Sequence, residues 1–343
     1  MRSLKFSLLK LYLNLGLFFY FRRIRCHGIG KIPIDKPVLV LCNHQNALLD
    51  ALIIAVRLPK YGHFLTRASV FKKKKISRFL KSINMMPVFR IRDGWHNLTN
   101  NQSIFERCVQ LLKQDNIIVL FPEGSHSLLR RVRPLSKGFT RVVYEYLDQD
   151  PERKILLVPL GLNYRSITDF VDQATLVVGD PIAVRYDPEI KMHDQVVHIK
   201  EKVQNEISAL TTNIPKENYE EFLERLHDLN IDFSDPYLAN RCMTSDFEQC
   251  QPPAKDYLIK IRLVFKVLLK VIMLPPYLIW KILVQPRIVE REFTATFRFA
   301  VAVTVVPIYL FLITLLVILF SGFETGILVL GTVISFSLIA VKL

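Results

Sequence analysis

The sequence predicts an α/β domain with a mostly buried sheet flanked by helices, preceded by an N-terminal amphipathic helix and followed by a C-terminal transmembrane hairpin. Three observations predict this. Strand-like and helical runs alternate over residues 37–186, polar residues recur at helical spacing near the N-terminus, and two uncharged runs lie near the end of the 343 residues. These patterns divide the chain into four parts: an interface helix (1–30), an α/β domain (31–190), a helical insertion with a linker (191–255) and a membrane region (256–343).

The first twenty residues have the pattern of a helix at a membrane surface. Four polar residues recur at helical spacing among Leu, Phe and Tyr: Ser3, Ser7, Lys10 and Asn14. A helix with one polar and one apolar face is amphipathic. Three arginines follow it: Arg22, Arg23 and Arg25. Because cationic residues are attracted to anionic headgroups, this segment predicts a helix in or on an anionic lipid interface.

The central segment alternates between short apolar runs and helical ones. Strands are predicted at 38–42, 63–66, 86–89, 117–121, 155–162 and 174–178. Helices are predicted at 47–56, 76–80, 102–114 and 137–147. The alternation indicates an α/β sheet covered by helices. The polar segment at 193–235 predicts further helices beyond this domain.

The last part of the chain is apolar enough to enter a membrane. Residues 299–320 form an uncharged run of 22 residues, and residues 326–341 form a second uncharged run of 16. A run of about 20 residues crosses a hydrocarbon core of about 30 Å. Arg298 and Lys342 would lie on one side of such a hairpin, which the positive-inside rule makes cytoplasmic. The sequence therefore predicts a multi-pass membrane protein with its α/β domain on the cytoplasmic face, and an interfacial segment at 256–288.

The charge of the chain favours anionic partners. Lys and Arg number 46 against 31 Asp and Glu, a formal net charge of +15. The sequence has no zinc-finger, helix-turn-helix or RNA-binding signature, so anionic membrane lipids and phosphorylated substrates are expected rather than nucleic acid. The 5 cysteines include no Cys-x-x-Cys pair, which predicts reduced thiols that bind no metal. No metal site and no cofactor are expected.

The most informative motif is the pair His44 and Asp50, which follows the predicted strand 38–42. Loops after strands are where α/β folds expose reactive groups, and histidine suits a general base that an oriented carboxylate assists. Residues six apart point about 120° away from each other on a helix. We therefore expect His44 in the turn and Asp50 on the helix. A plain structural alternative is a packed His44 and a solvated Asp50.

Three further stretches follow in order. The strand 86–89 leads into Arg90, the sequence Phe-Pro-Glu-Gly-Ser occupies 121–125, and an apolar strand with a proline occupies 158–162. Each has an ordinary interpretation taken singly: a surface cation, a Pro-Glu-Gly turn and a core strand. The chain has neither a Gly-x-Ser-x-Gly elbow nor a phosphate-binding glycine fingerprint, which argues against a serine hydrolase or a nucleotide enzyme.

Together, the four stretches resemble those of the glycerophospholipid acyltransferase family over about residues 34–181. The resemblance implies a single acyltransferase domain in which His44 and Asp50 are the catalytic pair. It also implies an acceptor and phosphate site formed by Arg90, Glu123, Gly124, Ser125 and Lys137. The implied reaction transfers a fatty acyl group from acyl-CoA or acyl carrier protein to a glycerol hydroxyl, without a metal.

Three departures from the family pattern leave the acceptor open. Five residues separate His44 from Asp50 where the family usually has four, Asn84 replaces a common glycine, and His126 replaces a frequent arginine. The longer spacing resembles a glycerol-3-phosphate acyltransferase branch that also carries C-terminal membrane helices. We expect 1-acylglycerol 3-phosphate as the acceptor, with glycerol 3-phosphate as the alternative. A membrane lipid-binding protein without catalysis is the alternative of another class.

Overall fold

The computed structural model describes residues 2–90, 99, 101–150, 152–251 and 257–343. Part of the predicted linker, residues 252–256, lies outside the described residues. One sheet contains the strands β1 Phe21–His27, β2 Val38–Cys42, β3 Gly62–Arg67, β4 Met85–Val88, β5 Ile117–Leu120, β6 Ile155–Tyr164, β7 Asp172–Val178 and β8 Ile182–Val184. The helices are α1 Arg2–Tyr20, α2 Ala47–Arg57, α3 Lys74–Ser82, α4 Asn101–Leu112, α5 Gly138–Leu147, α6 Met192–Ala209, α7 Tyr219–Asp228, α8 Pro236–Thr244, α9 Ile259–Ile272, α10 Leu274–Leu278, α11 Thr294–Ser321 and α12 Phe323–Lys342.

The sheet is mixed, with a parallel core. The strand order is β1-β7-β6-β2-β5-β3-β4, and β8 pairs with β6. β6, β2, β5, β3 and β4 are parallel neighbours, whereas β7 and β8 run antiparallel to β6. The carboxyl ends of the parallel strands therefore meet at one edge, which is where α/β folds form their sites.

Helices cover both faces of the sheet, as predicted. Along β2, Val38 and Val40 face a core shared with α1, α2 and the start of α11, while Leu39 and Leu41 face a core shared with α4, α5 and α6. Successive side chains on a strand point to opposite faces, so a strand covered on both sides is apolar throughout. All five residues of β2 are buried.

The sequence analysis did not predict β1, which pairs in parallel with β7. The helix α1 ends at Tyr20, and the arginine-rich segment after it is an edge strand rather than a free basic tail. Arg22 donates to the carbonyl oxygen of Leu343 at 2.6 Å, and Lys342 Nζ donates to the carbonyl oxygen of Phe21 at 2.8 Å. The edge strand is therefore bound to the end of α12, in addition to any contact with lipid.

Two helices are long and apolar enough to cross a membrane within the described part of the chain: Arg291–Ser321 and Phe323–Lys342. Gly322, with φ of 87°, separates α11 from α12. A Cβ on Gly326 would lie 2.3 Å from Ile318, so the end of α11 and the start of α12 pack closely. The pair Ile259–Ile272 and Leu274–Arg287 is bent by 92° and has the composition of a broken span or a re-entrant loop.

The N-terminal helix packs against the first membrane helix. Leu17 and Tyr20 of α1 are buried in the same core as Phe299 of α11. Pro307 lies inside α11 and lacks a backbone N–H, so the carbonyl of Val303 loses its usual helical donor. Tyr12 of α1 donates its hydroxyl to that carbonyl oxygen. The carbonyl group that Pro307 leaves without a helical donor is thus paired with Tyr12 of α1.

The polar segment after β8 forms the helices α6, α7 and α8, as expected for a helical insertion. Cys242 of α8 is disulfide-bonded to Cys250, whereas Cys26, Cys42 and Cys108 are free. The prediction of five reduced thiols is therefore wrong for two of them. The two cysteines lie eight residues apart around the end of α8, a spacing that has no recognised sequence signature.

Gly161 of β6 should tolerate no side chain, because a Cβ there would lie 2.0 Å from the carbonyl oxygen of Leu210. Gly161→Ala is therefore expected to lower the free energy of unfolding by about 1–3 kcal/mol, the usual cost of overpacking. Gly30→Ala is the matched control, since a Cβ at Gly30 meets nothing within 4 Å. Thermal unfolding in detergent measures both, and equal melting temperatures for the two variants would contradict the packing of Gly161.

Candidate active site

His44 lies in the turn between β2 and α2, and Asp50 lies in the first turn of α2. The Nδ1 atom of His44 is 2.8 Å from Oδ2 of Asp50. The Asp50 side chain is fully buried, whereas the His44 side chain is 15% exposed. The alternative in which Asp50 is a solvated helix residue is therefore wrong. In a neutral ring the Nδ1 proton is donated to Asp50, and Nε2 remains an acceptor for another proton.

The carboxylate of Asp50 is held by three donors besides His44. Its Oδ2 atom accepts from the backbone N–H groups of Gln45 at 2.9 Å and Asn46 at 2.8 Å. Its Oδ1 atom accepts from the hydroxyl of Tyr164, at the end of β6, at 2.6 Å. Burial raises the pKa of Tyr164 well above its usual value, and the nearby Asp50 charge adds to this. The phenol therefore stays protonated and fixes the carboxylate that orients the imidazole.

The loops after β2 and β5 contact each other because these strands are parallel neighbours. The ring of His44 stacks on that of Phe121, with centroids 3.9 Å apart and planes inclined by 13°. The backbone N–H of His44 donates to Oε1 of Glu123 at 3.2 Å, and its carbonyl accepts from the N–H of Ser127 at 3.0 Å. The motif at 121–125 thus forms one wall of the histidine site.

Glu123 is bound by the protein on both carboxylate oxygens. Its Oε2 atom accepts from Nε of Arg133 at 2.7 Å, and its side chain is 3% exposed. Arg133 also donates through Nη1 to the hydroxyl of Ser125 at 2.8 Å, and through Nη2 to the carbonyl oxygen of Ser125. Burial raises the pKa of Glu123, although the charge of Arg133 opposes the shift. Sequence reasoning missed Arg133; its only signal was the basic run after the motif.

Arg90, two residues after the end of β4, contacts the same turn. Its Nη1 atom donates to the carbonyl oxygen of Gly124 at 3.2 Å. Gly124 has φ of 73°, a left-handed conformation that glycine adopts without strain. Lys137 is exposed at the start of α5. The residue before it, Ser136, donates its backbone N–H to the carbonyl oxygen of Pro122 at 2.7 Å, which places Lys137 near the turn. Arg90 thus contacts the turn at 123–125 directly, whereas Lys137 lies near the turn through its neighbour Ser136.

The beginning of α11 also reaches the motif, which sequence reasoning did not anticipate. Thr296 accepts from the N–H of Leu49 at 3.2 Å and donates to the carbonyl of Asn46 at 3.3 Å. These bonds join the first membrane helix to the first turn of α2. The first turn of α11, an apolar helix predicted to span the membrane, therefore also holds the start of α2 in place.

His126 lies between the candidate dyad and the segment before α11. Its ring is 5.7 Å from that of His44 and 4.8 Å from that of Phe293, between centroids, and its Nε2 atom is 3.4 Å from a carboxylate oxygen of Glu290. Burial lowers the pKa of His126, and the neighbouring His44 lowers it further. This side chain stands where the resemblance expects an arginine.

The described residues include no group of three or more His, Cys, Asp or Glu side chains placed to hold a metal ion. The chemistry available here is that of an oriented imidazole at the end of a parallel strand. An acceptor hydroxyl placed at Nε2 would lose its proton to the ring while Asp50 stabilises the resulting imidazolium.

Part of the chain is similar in sequence to known proteins. Residues 23–163 match the family described as Acyltransferase. The chain is 27% identical over 105 residues to a 1-acyl-sn-glycerol-3-phosphate acyltransferase of Bacillus subtilis, covering 30% of this chain and 49% of the relative. It is 29% identical over 91 residues to glycerol-3-phosphate O-acyltransferase 1 of Saccharomyces cerevisiae, covering 26% of this chain and 12% of the relative.

A solved structure was also found, the 1-acyl-sn-glycerophosphate acyltransferase PlsC of Thermotoga maritima. The TM-score is 0.45 at 16% identity, over 63% of this chain and 83% of that one. The chain spans less than half the length of the two curated relatives named above. The matched segment contains β2, the His44 and Asp50 turn, Arg90 and the turn at 123–125. Residues 23–163 are thus an acyltransferase domain, similar in sequence to acyltransferases of 1-acylglycerol 3-phosphate and of glycerol 3-phosphate.

Proposed function

We propose that this protein is a membrane-bound O-acyltransferase that moves a fatty acyl group from acyl-CoA or acyl carrier protein to the free hydroxyl of 1-acylglycerol 3-phosphate, giving phosphatidic acid. The observation that carries the proposal is the 2.8 Å hydrogen bond between His44 Nδ1 and the buried carboxylate of Asp50. The same carboxylate is held by two backbone N–H groups and by Tyr164. A non-catalytic lipid-binding protein would not need a buried carboxylate directed at a partly exposed imidazole.

In the proposed reaction, Nε2 of His44 takes the proton of the acceptor hydroxyl as its oxygen attacks the thioester carbonyl carbon. The C–O bond forms, the tetrahedral intermediate collapses, and the C–S bond breaks. The thiolate leaving group takes that proton from the imidazolium, which Asp50 has stabilised, and departs as a thiol. No acyl-enzyme is formed. A positioned base increases the rate by a factor of about 10² to 10⁴. Placing the two substrates together must supply much of the remaining rate enhancement.

The acceptor phosphate is proposed to bind beside the turn at 123–125, with Arg90 and Lys137 supplying positive charge. Arginine offers phosphate a planar fork of donors, and lysine offers a compact charge. Both oxygens of Glu123 have protein partners, so its proposed contribution is to fix Arg133 and the backbone of the turn. Gly124 and Ser125 shape the same wall, because their carbonyl oxygens accept from Arg90 and Arg133, respectively.

Two acceptors remain for comparison because relatives of both kinds match the chain. The helices α1 and α11 pack beside the domain, which favours an acceptor that arrives from the bilayer. Burial of each methylene of its acyl chain contributes about 0.8 kcal/mol. Glycerol 3-phosphate is the second candidate, favoured by the five residues between His44 and Asp50 and by the similarity to the yeast glycerol-3-phosphate O-acyltransferase 1. We propose that the domain faces the cytoplasm, on the side of Arg298 and Lys342.

The experiment that separates the acceptors uses purified full-length protein in one detergent. Labelled acyl-CoA and acyl carrier protein are each offered with 1-acylglycerol 3-phosphate or glycerol 3-phosphate, and the products are resolved by acylated position. We expect a higher kcat/KM for 1-acylglycerol 3-phosphate. A clear preference for glycerol 3-phosphate would reverse the order of the two acceptors and leave the acyl-transfer chemistry unchanged.

Arg90→Ala should raise the KM for the acceptor by roughly tenfold to a hundredfold, since hydrogen bonds to charged groups contribute about 1.5–3 kcal/mol. The KM for the acyl donor should stay near its wild-type value. Arg78→Ala, at an exposed arginine of α3, is the matched control for loss of positive charge. If Arg90→Ala raised only the donor KM, Arg90 would belong to the donor site instead.

A further inference from the structure

A cavity of about 860 Å³ lies among the helices, apart from the His44 turn. Residues from α1, α9, α10, α11 and α12 line it, together with residues 280–285 between α10 and α11 and residues 169–170 between β6 and β7. Most of the lining is apolar, including Leu15, Val306 and Leu310. This volume lies within the range of cavities that hold a ligand of several hundred daltons.

The lining of the cavity carries an excess of positive charge. Four basic residues line it, against a single acidic one: Lys266, Lys270, Lys281 and Arg298, with Asp169. Lys266 and Lys270 are four apart on α9, so they share one face of that helix. Lys266 lies near enough to Asp169 to interact with its charge. The excess of positive charge beside an apolar cavity is complementary to an anionic amphiphile.

Arg298 is held in a fixed position at the cavity wall. Its Nε atom donates to the hydroxyl of Tyr20 at 2.9 Å, and its Nη2 atom donates to the carbonyl oxygen of Thr168. The guanidinium carbon lies 5.8 Å from the ring centroid of Tyr20, 5.9 Å from that of Phe170 and 5.6 Å from that of Trp280. A cation positioned in this way keeps its charge at the cavity wall without a carboxylate partner among these contacts.

A second observation indicates a missing ligand group. The side-chain oxygen of Gln285, another lining residue, is buried and has no hydrogen-bond partner among the described residues. A buried acceptor without a donor destabilises a protein, and a ligand hydroxyl would supply that donor. The cavity therefore offers cations for an acidic headgroup and an acceptor for a hydroxyl.

The dimensions fit a lipid that occupies one leaflet. From Arg298 to Leu310 along α11 is about 18 Å at 1.5 Å per residue, and one leaflet is about half of a 30 Å hydrocarbon core. The cationic residue thus lies where a headgroup would be, and the apolar residues lie along the acyl chains. Pro307, between these two residues, also lines the cavity.

We propose that this cavity binds an anionic phospholipid, with its phosphate at Lys266, Lys270 and Arg298 and its acyl chains along α11. This is a lipid site separate from the acceptor site near Arg90. It is independent of the proposed acyl transfer, because it rests on the membrane helices and their charges.

The test is photo-crosslinking of the full-length protein in nanodiscs of phosphatidylcholine. The probe is phosphatidate with a photoactivatable group in one acyl chain, and labelled peptides are identified by mass spectrometry. We expect labelling of α9 and α11 that unlabelled phosphatidate displaces. The double variant Lys266→Gln with Lys270→Gln should weaken labelling on the order of tenfold or more. Val306→Trp should reduce it by filling the cavity.

The matched control is Lys72→Gln with Lys73→Gln, which removes two exposed lysines elsewhere and should leave labelling unchanged. Equal labelling by a phosphatidylcholine probe would overturn the proposal, since it would show no selection for the acidic headgroup. Displacement by inorganic phosphate at the same concentration would also overturn it, because the site would then recognise phosphate without acyl chains. Labelling is measured without turnover, so an absence of acyl transfer would not affect this result.

Discussion

His44→Ala is expected to lower kcat for acyl transfer by about 10² to 10⁴, the contribution of a positioned general base. The reason is that Nδ1 is bound to Asp50 at 2.8 Å, which leaves Nε2 as the nitrogen able to accept the hydroxyl proton. Binding of the acceptor should change far less than kcat. The measurement is the initial rate of product formation with both substrates saturating.

Loss of activity in this variant must be separated from loss of structure. His44 stacks on Phe121, so truncation also removes a packing contact. His44→Gln keeps more of the side-chain volume but cannot act as a base, and it should be as inactive as His44→Ala. The exposed His193, at the second residue of α6, is a matched control whose change to alanine should leave kcat unaltered. A folded His44→Ala protein with wild-type turnover would remove His44 from the mechanism.

Asp50→Asn is expected to reduce kcat by about 10² or more, because a neutral amide cannot stabilise the imidazolium that forms. The geometry should persist, since one amide oxygen can replace Oδ2 and accept from His44, Gln45 and Asn46. The amide nitrogen would then face Tyr164, whose hydroxyl can accept as well as donate. Circular dichroism and melting temperature measure the fold, and initial rates measure catalysis.

Two further variants test whether the loss of kcat in Asp50→Asn is due to loss of the buried negative charge. Tyr164→Phe removes one donor to Asp50 but leaves the charge, so we expect a loss of about tenfold, the value of one hydrogen bond. Asp148→Asn changes an exposed carboxylate at the end of α5 and should be neutral. If Asp50→Asn were as active as Asp148→Asn, the carboxylate would have only a structural role.

The core of the sheet could be predicted from the sequence because its strands are short, apolar and separated by helical segments. The structure gives β2 the predicted bounds, Val38–Cys42, and extends β6 by two residues to Tyr164. The strand β1 could not be predicted, since its arginines resemble a membrane-binding tail and its partner β7 lies about 150 residues away. Charged residues are common on edge strands, where they oppose further pairing.

The candidate site was predicted in part for the same reason. His44 and the turn at 121–125 follow the neighbouring strands β2 and β5, and Arg90 follows β4, which β3 separates from β5. Because all four strands are parallel, their carboxyl ends lie at one edge. Tyr164 and Arg133 were missed because their contacts with Asp50 and Glu123 depend on side-chain directions that no spacing rule gives. Thr296 was missed because an uncharged helix indicates a membrane span whether or not its first turn also packs on the site.

The most direct test of the central claim is acyl transfer by the purified full-length protein itself. A labelled acyl thioester is incubated with 1-acylglycerol 3-phosphate and wild-type protein, and in parallel with the His44→Ala variant, and the lipid product is identified. We predict labelled phosphatidic acid from the wild-type protein and a trace at most from the variant. The account would be contradicted if the wild-type protein formed no labelled product from acyl-CoA or acyl carrier protein, with 1-acylglycerol 3-phosphate or with glycerol 3-phosphate as the acceptor.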